Sequence, residues 1–297
     1  MQSFNLKSYL QEKRKVVEET LEKLLPSEQE WPARLHESML YSIRAGGKRL
    51  RPILVIASCE ACGADSRRVL PVAVAIEMIH TYSLIHDDLP AMDDDALRRG
   101  KPTNHKVFGE AVAILAGDAL LTEAFRIMSR YRHPELSPVA LIEVIEAIAE
   151  ASGSKGMAGG QVVDLESEDQ TIDLEKLERL HKHKTGRLIR VSVEAGAKLG
   201  GASPPQLKAL SLYGEKIGLA FQIADDVLDI EGGEEIGKDL GSDVANHKAT
   251  YPSVLGLEES KKRARLLIEE ALASLQIFDA KANPLREIAH YVVNRKS

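Results

Sequence analysis

Apolar residues recur at spacings of three and four along nearly the whole chain, the signature of helices that each bury one face. The periodic segments run over 3–25, 33–45, 52–62, 66–88, 106–131, 136–153, 173–199, 204–231, 258–275 and 284–295. Helix-breaking residues separate them: Pro26-Ser27, Gly46-Gly47, Gly63-Ala64-Asp65, His133-Pro134, Gly200-Gly201 and Ser203-Pro204. Strict apolar/polar alternation is nearly absent, so the pattern predicts an all-α bundle of roughly ten or more helices. The stretch Leu70 to Ile85 is apolar on nearly every side, interrupted mainly by Glu77, His80 and Thr81, which predicts a helix buried inside the bundle. There is no long linker, low-complexity tract or fixed-period repeat, and a single domain over 1–297 is expected.

Composition narrows the class without changing it. The chain has 297 residues, 44% apolar and 28% charged, with aromatic residues at only 4%. These values exclude a disordered or collagen-like chain, and the low aromatic content favours helix. A net charge of −6 argues against non-specific binding to nucleic acid or to an anionic membrane. The two cysteines, Cys59 and Cys62, form one CxxC without further zinc ligands at metal spacing. Lying late in an apolar helical run, they are expected to be free thiols of a reducing compartment. The N-terminal segment is amphipathic and rich in Glu, unlike a signal or transit peptide, and no window approaches 18 apolar residues. A cytoplasmic protein with no transmembrane segment is expected.

Two acidic clusters carry the chemistry. In HDDLPAMDDD, Asp87, Asp88, Asp93, Asp94 and Asp95 crowd the end of the apolar helix. Asp225-Asp226-Val227-Leu228-Asp229 closes a second one. Asp225 and Asp229, four apart, project from one helical face, where like charges repel and apolar surroundings raise the cost. Hard divalent cations relieve that cost, and all-oxygen ligation suits Mg²⁺. Pro90 removes a backbone donor, so the first helix is expected to end there and carry the following aspartates over the same cavity. Spacing alone leaves open which of Asp93, Asp94 and Asp95 meets metal. Mg²⁺ held by few carboxylates recruits substrate phosphates, and cations stand nearby: Lys48, Arg49 and Arg51 after Gly46-Gly47, Arg98-Arg99, Lys184 in a helix-interrupting Lys-Thr-Gly, and Lys238 and Lys248 in a second polar loop. Glycines before a helix start let backbone approach an anion closely, although this is not a Walker A loop.

The ordered combination GGKRLRP, HDDLPAMDDDALRRGKPT, GDALL, HKTG, FQIADDVLDI and GKDLGSD resembles the trans-isoprenyl diphosphate synthase family over essentially the whole chain. The resemblance implies the isoprenoid synthase fold, in which two aspartate-rich motifs face each other across a deep apolar cavity. It also implies the reaction: an allylic diphosphate ionises, isopentenyl diphosphate attacks the cation, and proton loss leaves a product five carbons longer. By the same resemblance, Asp87, Asp88, Asp93, Asp225, Asp226 and Asp229 bind three Mg²⁺ ions, with Mn²⁺ as a substitute. Lys48, Arg51, His80 and Arg99 hold isopentenyl diphosphate; Arg98, Lys184, Gln222, Lys238 and Lys248 contact the allylic diphosphate. Thr185, Gln222 and the Lys184 carbonyl lie near the developing cation. Gln161 and Asp164 occupy a family motif that supports the site. Ala96 departs from close relatives, which often continue the acidic run.

Product length is set by bulk beneath the aspartates. Tyr82 lies five residues, about 7.5 Å, below Asp87 along the helix, while rotation places Ser83 more directly beneath it. An aromatic at Tyr82 together with Pro90 resembles bacterial synthases of fifteen-carbon farnesyl diphosphate; the run RRGKPTNHKVFGEA also looks like plant-type geranylgeranyl synthases, which leaves a C20 product as the alternative. A terpene cyclase, a regulatory subunit and a metal-dependent phosphohydrolase are disfavoured, because both acidic motifs and the GGKRLRP cations are present and further metal-binding histidines are not. His181 and His183 have HxH spacing without a third zinc ligand. The resemblance further implies a homodimer.

Overall fold

The computed structural model describes residues 4–168, 170, 172–231 and 249–294. They form α1 (Leu6–Leu24), α2 (Ala33–Arg44), α3 (Leu50–Ala61), α4 (Leu70–Asp87), α5 (Asn104–Phe108), α6 (Glu110–Arg130), α7 (Pro138–Ser152), α8 (Met157–Leu165), α9 (Leu174–His181), α10 (Arg187–Leu199), α11 (Pro204–Glu231), α12 (Tyr251–Leu255), α13 (Leu257–Ser274) and α14 (Asn283–Asn294). Among the described residues the one sheet is a two-residue hairpin, β1 (Leu97–Arg98) antiparallel to β2 (Lys101–Pro102). The fold is all-α, as the periodicity predicts.

Local signals set the helix ends. Asn5, Ser137 and Asp173 accept the backbone N–H groups of Ser8, Ala140 and Lys176, capping α1, α7 and α9. Thr250 and Ser253 form a reciprocal capping box that starts α12. Several features depart from the periodic reading: the expected helix over 106–131 is broken at Gly109 between α5 and α6, and α12 lies where no helix is predicted. Residues 66–69 form a 3₁₀ turn before α4. The short helix α8, with two central glycines, lies in a stretch where no helix is predicted. The expected helix over 173–199 is broken by a π turn, Lys182–Gly186.

The α4 helix is the axis of one apolar core. Its residues from Val72 to Ile79 are buried on every face, and α1, α3 and α6 pack around it. A second core lies between α11, α13 and α14. The two are joined by α3 and α10, which feed Val55 and Val191 into the first and Ile53 and Val193 into the second. The expectation that nothing approaches a membrane span needs correction here. Ser66–Asp87 is a 22-residue helical stretch holding an 18-residue window of mean hydropathy 1.4, long and apolar enough by composition. Its apolar window is 61% buried inside the protein, because it serves as a core helix with neighbours on all sides. Cys59 is buried and Cys62 half-buried, both as free thiols, and burial pushes them up to about 12 and about 11.

Candidate active site

The ends of α4 and α11 open on a cavity of about 650 Å³, which α8 and the π turn wall on one side. Asp87, Asp93, Asp225 and Asp226 line it together with Arg51, His80, Arg98, Arg99, Lys184, Thr185, Gln222, Gln161 and Asp164. Apolar lining comes from Met92, Met157, Val162, Leu165, Leu180 and Phe221, and Tyr82 and Ser83 lie below the first aspartates.

Asp87 is the last residue of α4. After Pro90 the chain turns back so that the Asp93 N–H donates to the Asp87 carbonyl at 2.9 Å. That fold-back puts Asp93 on the cavity wall. Asp94, in a left-handed conformation (φ 48°), is exposed with Lys106 at 3.6 Å, and Asp95 accepts from Arg98. Of the three aspartates that spacing left open, Asp93 is therefore the one that meets the cavity. Asp88 is buried and accepts from Arg98 Nε at 2.6 Å. Burial is the main cause that pushes Asp87 up to about 6; Lys184 opposes it, and Asp93 and Asp88 add to it.

On α11, Asp226 is buried and accepts the Tyr251 N–H at 2.8 Å. Asp229 is half-buried one turn nearer the helix end and is not among the lining side chains. Nor are Asp88 and Lys48, the latter exposed. Lys238 and Lys248 lie outside the described residues.

The cationic side is built by close backbone approach. Gly47 has φ +124°, a backbone conformation that favours glycine, and a Cβ there would stand 2.5 Å from the Arg99 guanidinium carbon, so a larger residue would displace that side chain. Arg99 donates to the Gly46 carbonyl. Arg49, also left-handed (φ 51°), turns inward and pairs with buried Glu77 at 2.8 Å. His80 is held well below the usual imidazole range by burial first and then by Arg51 and Arg99, so it is neutral. Arg51 Nε and Gln161 Nε2 are buried donors without a hydrogen-bond partner. Such orphaned donors fit a site that receives an anion.

Lys184 and Thr185 owe their position to the π turn, a local widening of the helix common at functional sites. Lys184 Nζ meets Asp164 Oδ2 of α8 at 2.5 Å. Gly160 makes this possible: a Cβ there would lie 2.3 Å from the Lys184 backbone nitrogen. The Tyr82 ring, on the cavity wall, stands edge-on to His86 at 5.7 Å, and His86 Nε2 donates to the Ile114 carbonyl of α6. Sequence reasoning missed Glu77, the buried partner of Arg49 behind the wall, and Phe221, which lines the cavity. A carboxylate inside an otherwise apolar helix was the available signal for the first; adjacency to Gln222 was the only one for the second.

The aspartates themselves offer only oxygen donors, and among the described residues no three metal-binding side chains converge on one point. A cation here would thus take one or two carboxylates and complete its shell with water and ligand oxygens, the habit of Mg²⁺. The raised Asp87 is a carboxylate whose charge burial disfavours, a cost that such a cation relieves.

The polyprenyl synthetase family profile matches residues 32–286. The chain is 49% identical over 296 residues to a farnesyl diphosphate synthase of Geobacillus stearothermophilus, covering 99% of both chains. It is also 49% identical over 297 residues to a geranylgeranyl diphosphate synthase of Cyanophora paradoxa, covering 99% of this chain and 98% of that one. Among solved structures, an FPP/GFPP synthase from Zymomonas mobilis superposes with a TM-score of 0.86 at 43% identity, covering 97% and 99% of the two chains.

Proposed function

Because the chain belongs to the polyprenyl synthetase family, we propose that its cavity condenses isopentenyl diphosphate with dimethylallyl and then geranyl diphosphate to give farnesyl diphosphate. The chain is a trans-prenyl diphosphate synthase. The observation that carries the fuller reading is the convergence of Asp87, Asp93 and Asp225 with Arg51, Arg99 and Lys184 on one cavity that Met92, Met157, Leu165 and Phe221 also line.

In this reading Asp87, Asp88, Asp93, Asp225, Asp226 and Asp229 hold three Mg²⁺ ions, which supply charge stabilisation to the departing diphosphate. Arg98, Lys184, Gln222, Lys238 and Lys248 add cationic and hydrogen-bonding contacts to the allylic diphosphate. Lys48, Arg51, Arg99 and neutral His80 hold the isopentenyl diphosphate, with His80 acting as a hydrogen-bond partner and not as a charge. Thr185, Gln222 and the Lys184 carbonyl turn oxygen atoms toward the allylic cation. Met157, Leu165 and Phe221 keep water from that cation, which water would otherwise quench. Released diphosphate takes the proton, so no side-chain base is required. Tyr82, with Ser83 beside it, forms the floor that stops elongation at fifteen carbons. Gln161 and Asp164 hold Lys184 and the π turn in place.

The enzyme acts as a single domain over residues 1–297 and as a homodimer. Exposed Ile114 and Leu115 of α6 and Val139 and Ile142 of α7 form the apolar surface that supports subunit contact. Its free, high-pKa thiols suit the cytoplasm. Incubation with isopentenyl and dimethylallyl diphosphates, with and without Mg²⁺, tests the proposal: a Mg²⁺-dependent C15 product is expected. A C20 product overturns the Tyr82 floor. One class of geranylgeranyl synthases remains the second reading, favoured by the equal identity to the Cyanophora paradoxa enzyme.

A further inference from the structure

One buried imidazole has no part in the mechanism above. His181 ends α9 just before the π turn, and it is 6% exposed. Its ring stacks on Tyr251 at 5.5 Å with a 19° interplanar angle. Its two nitrogens face two residues one turn apart on α11. Nδ1 lies 3.2 Å from Gln222 Nε2, and Nε2 lies 3.6 Å from Asp226 Oδ2, with no hydrogen-bond partner.

The chemistry of these atoms fixes the proton. An amide NH₂ only donates, so Nδ1 accepts and is unprotonated. The neutral ring must then carry its hydrogen on Nε2, and that N–H points toward the Asp226 carboxylate. With the Gln222 nitrogen engaged by the ring, the amide atom left to face the cavity is Oε1.

We propose that His181 is a positioning residue: held in the Nε2–H tautomer between Gln222 and Asp226, it fixes the Gln222 side chain with its carbonyl oxygen toward the reacting allylic carbon. The dipole then presents its negative end where positive charge develops. A freely rotating amide spends part of its time with NH₂ turned to that carbon, which opposes ionisation. Asp226 serves here through its geometry, already set by the Tyr251 N–H. This inference rests on the reading of the cavity as a prenyl elongation site.

The test compares His181→Phe, which keeps the stack on Tyr251 but has no nitrogen, with His181→Asn, whose Oδ1 stands near the Nδ1 position and accepts from Gln222. Misorienting one contact to the reacting centre is expected to lower kcat of His181→Phe roughly 10- to 100-fold, with KM for both diphosphates nearly unchanged. His181→Asn is expected to recover most of that loss. The double variant His181→Phe/Gln222→Ala should be no slower than Gln222→Ala alone. Independent losses that multiply, or a His181→Phe defect confined to KM, overturn the proposal. Should His181→Phe fail to fold, the ¹⁵N–¹H spectrum of the wild-type histidines still decides: an Nδ1–H tautomer for His181 refutes it. A wild-type protein that folds but forms no condensation product instead refutes the elongation reading, and the tautomer spectrum tests the arrangement separately.

Discussion

Removing the charge of Asp87 tests the electrostatics of the rim most directly. Its carboxyl is raised from 3.8 to about 6 by burial, with Asp93 and Asp88 adding to the effect. A raised folded-state value means that the metal-free fold binds the proton more tightly than the unfolded chain. The stabilisation is complete below about pH 4 and is lost as pH rises through 6. Two units at about 1.4 kcal/mol each set an upper bound of about 3 kcal/mol. Asp87 remains partly open to solvent, and screening reduces the figure to about 1–2 kcal/mol.

Asp87→Asn, neutral at every pH, should therefore match the metal-free wild type near pH 4 and exceed it at pH 7 by roughly 2–5 °C in Tm. Metal reverses the preference, because Mg²⁺ requires the carboxylate. Between pH 7 and pH 5 the ionised fraction of a group near 6 falls about tenfold, and Mg²⁺ affinity should fall with it. Calorimetric titration in two buffers of different ionisation enthalpy reads the proton released on Mg²⁺ binding. The wild type should release most of one proton at pH 5.5, and Asp87→Asn should release much less. An Asp87→Asn protein no more stable than the metal-free wild type at pH 7, together with unchanged proton release, would refute the account of a buried, destabilised carboxylate.

Three further outcomes follow from packing. Tyr82→Ala should shift the product from C15 toward C20 with condensation retained, read by chromatography of the dephosphorylated prenyl alcohols; an unchanged C15 product would move the floor elsewhere. Gly160→Ala would place a Cβ 2.3 Å from the Lys184 nitrogen, so α8 and the π turn must part, with a stability loss of about 1–3 kcal/mol by denaturant melts and a large fall in kcat. Glu77→Gln leaves Arg49 buried without its counter-charge and should cost about 3–5 kcal/mol in the same assay, whereas a cost under about 1 kcal/mol would mean that Arg49 escapes to solvent.

The helices and both aspartate motifs were legible because each rests on a periodic or local signal. The apolar repeat of α4 and the four-residue spacing of Asp225 and Asp229 survive folding unchanged. The fold-back at Pro90 was legible in outcome, since a missing donor stops the helix, but the choice of Asp93 over its neighbours depended on a single backbone hydrogen bond across six residues. The helix α8 was hidden because Gly159 and Gly160 weaken helix propensity. Gly160 answers a tertiary demand, the approach of the π turn, that no local pattern records, whereas Gly159 admits the nearby Ser154 carbonyl. His181 was hidden for a similar reason: an HxH spacing invites a metal reading, while its true neighbours lie 41 and 45 residues away on another helix.

These contacts also bear on why acidic and basic residues alternate around one rim. Asp88 accepts from Arg98, Asp164 from Lys184, and Glu77 from Arg49. Each buried charge thereby has a partner before any ligand arrives, which offsets the desolvation that isolated charges would suffer. The pairs differ in what binding asks of them. Arg49 and Glu77 lie behind the wall, each about 1–2% exposed, and their contact can persist throughout. Arg98 and Lys184 line the cavity, so an anion drawn to them competes with Asp88 and Asp164 for the same donors. On the proposed reading, a divalent cation beside Asp87 and Asp88 would take up carboxylate charge and lower the cost of releasing Arg98 to a phosphate. Cation and diphosphate would then favour each other's binding by simple charge exchange, and the acidic clusters would gain their full meaning only together with the arginines and lysine opposite them.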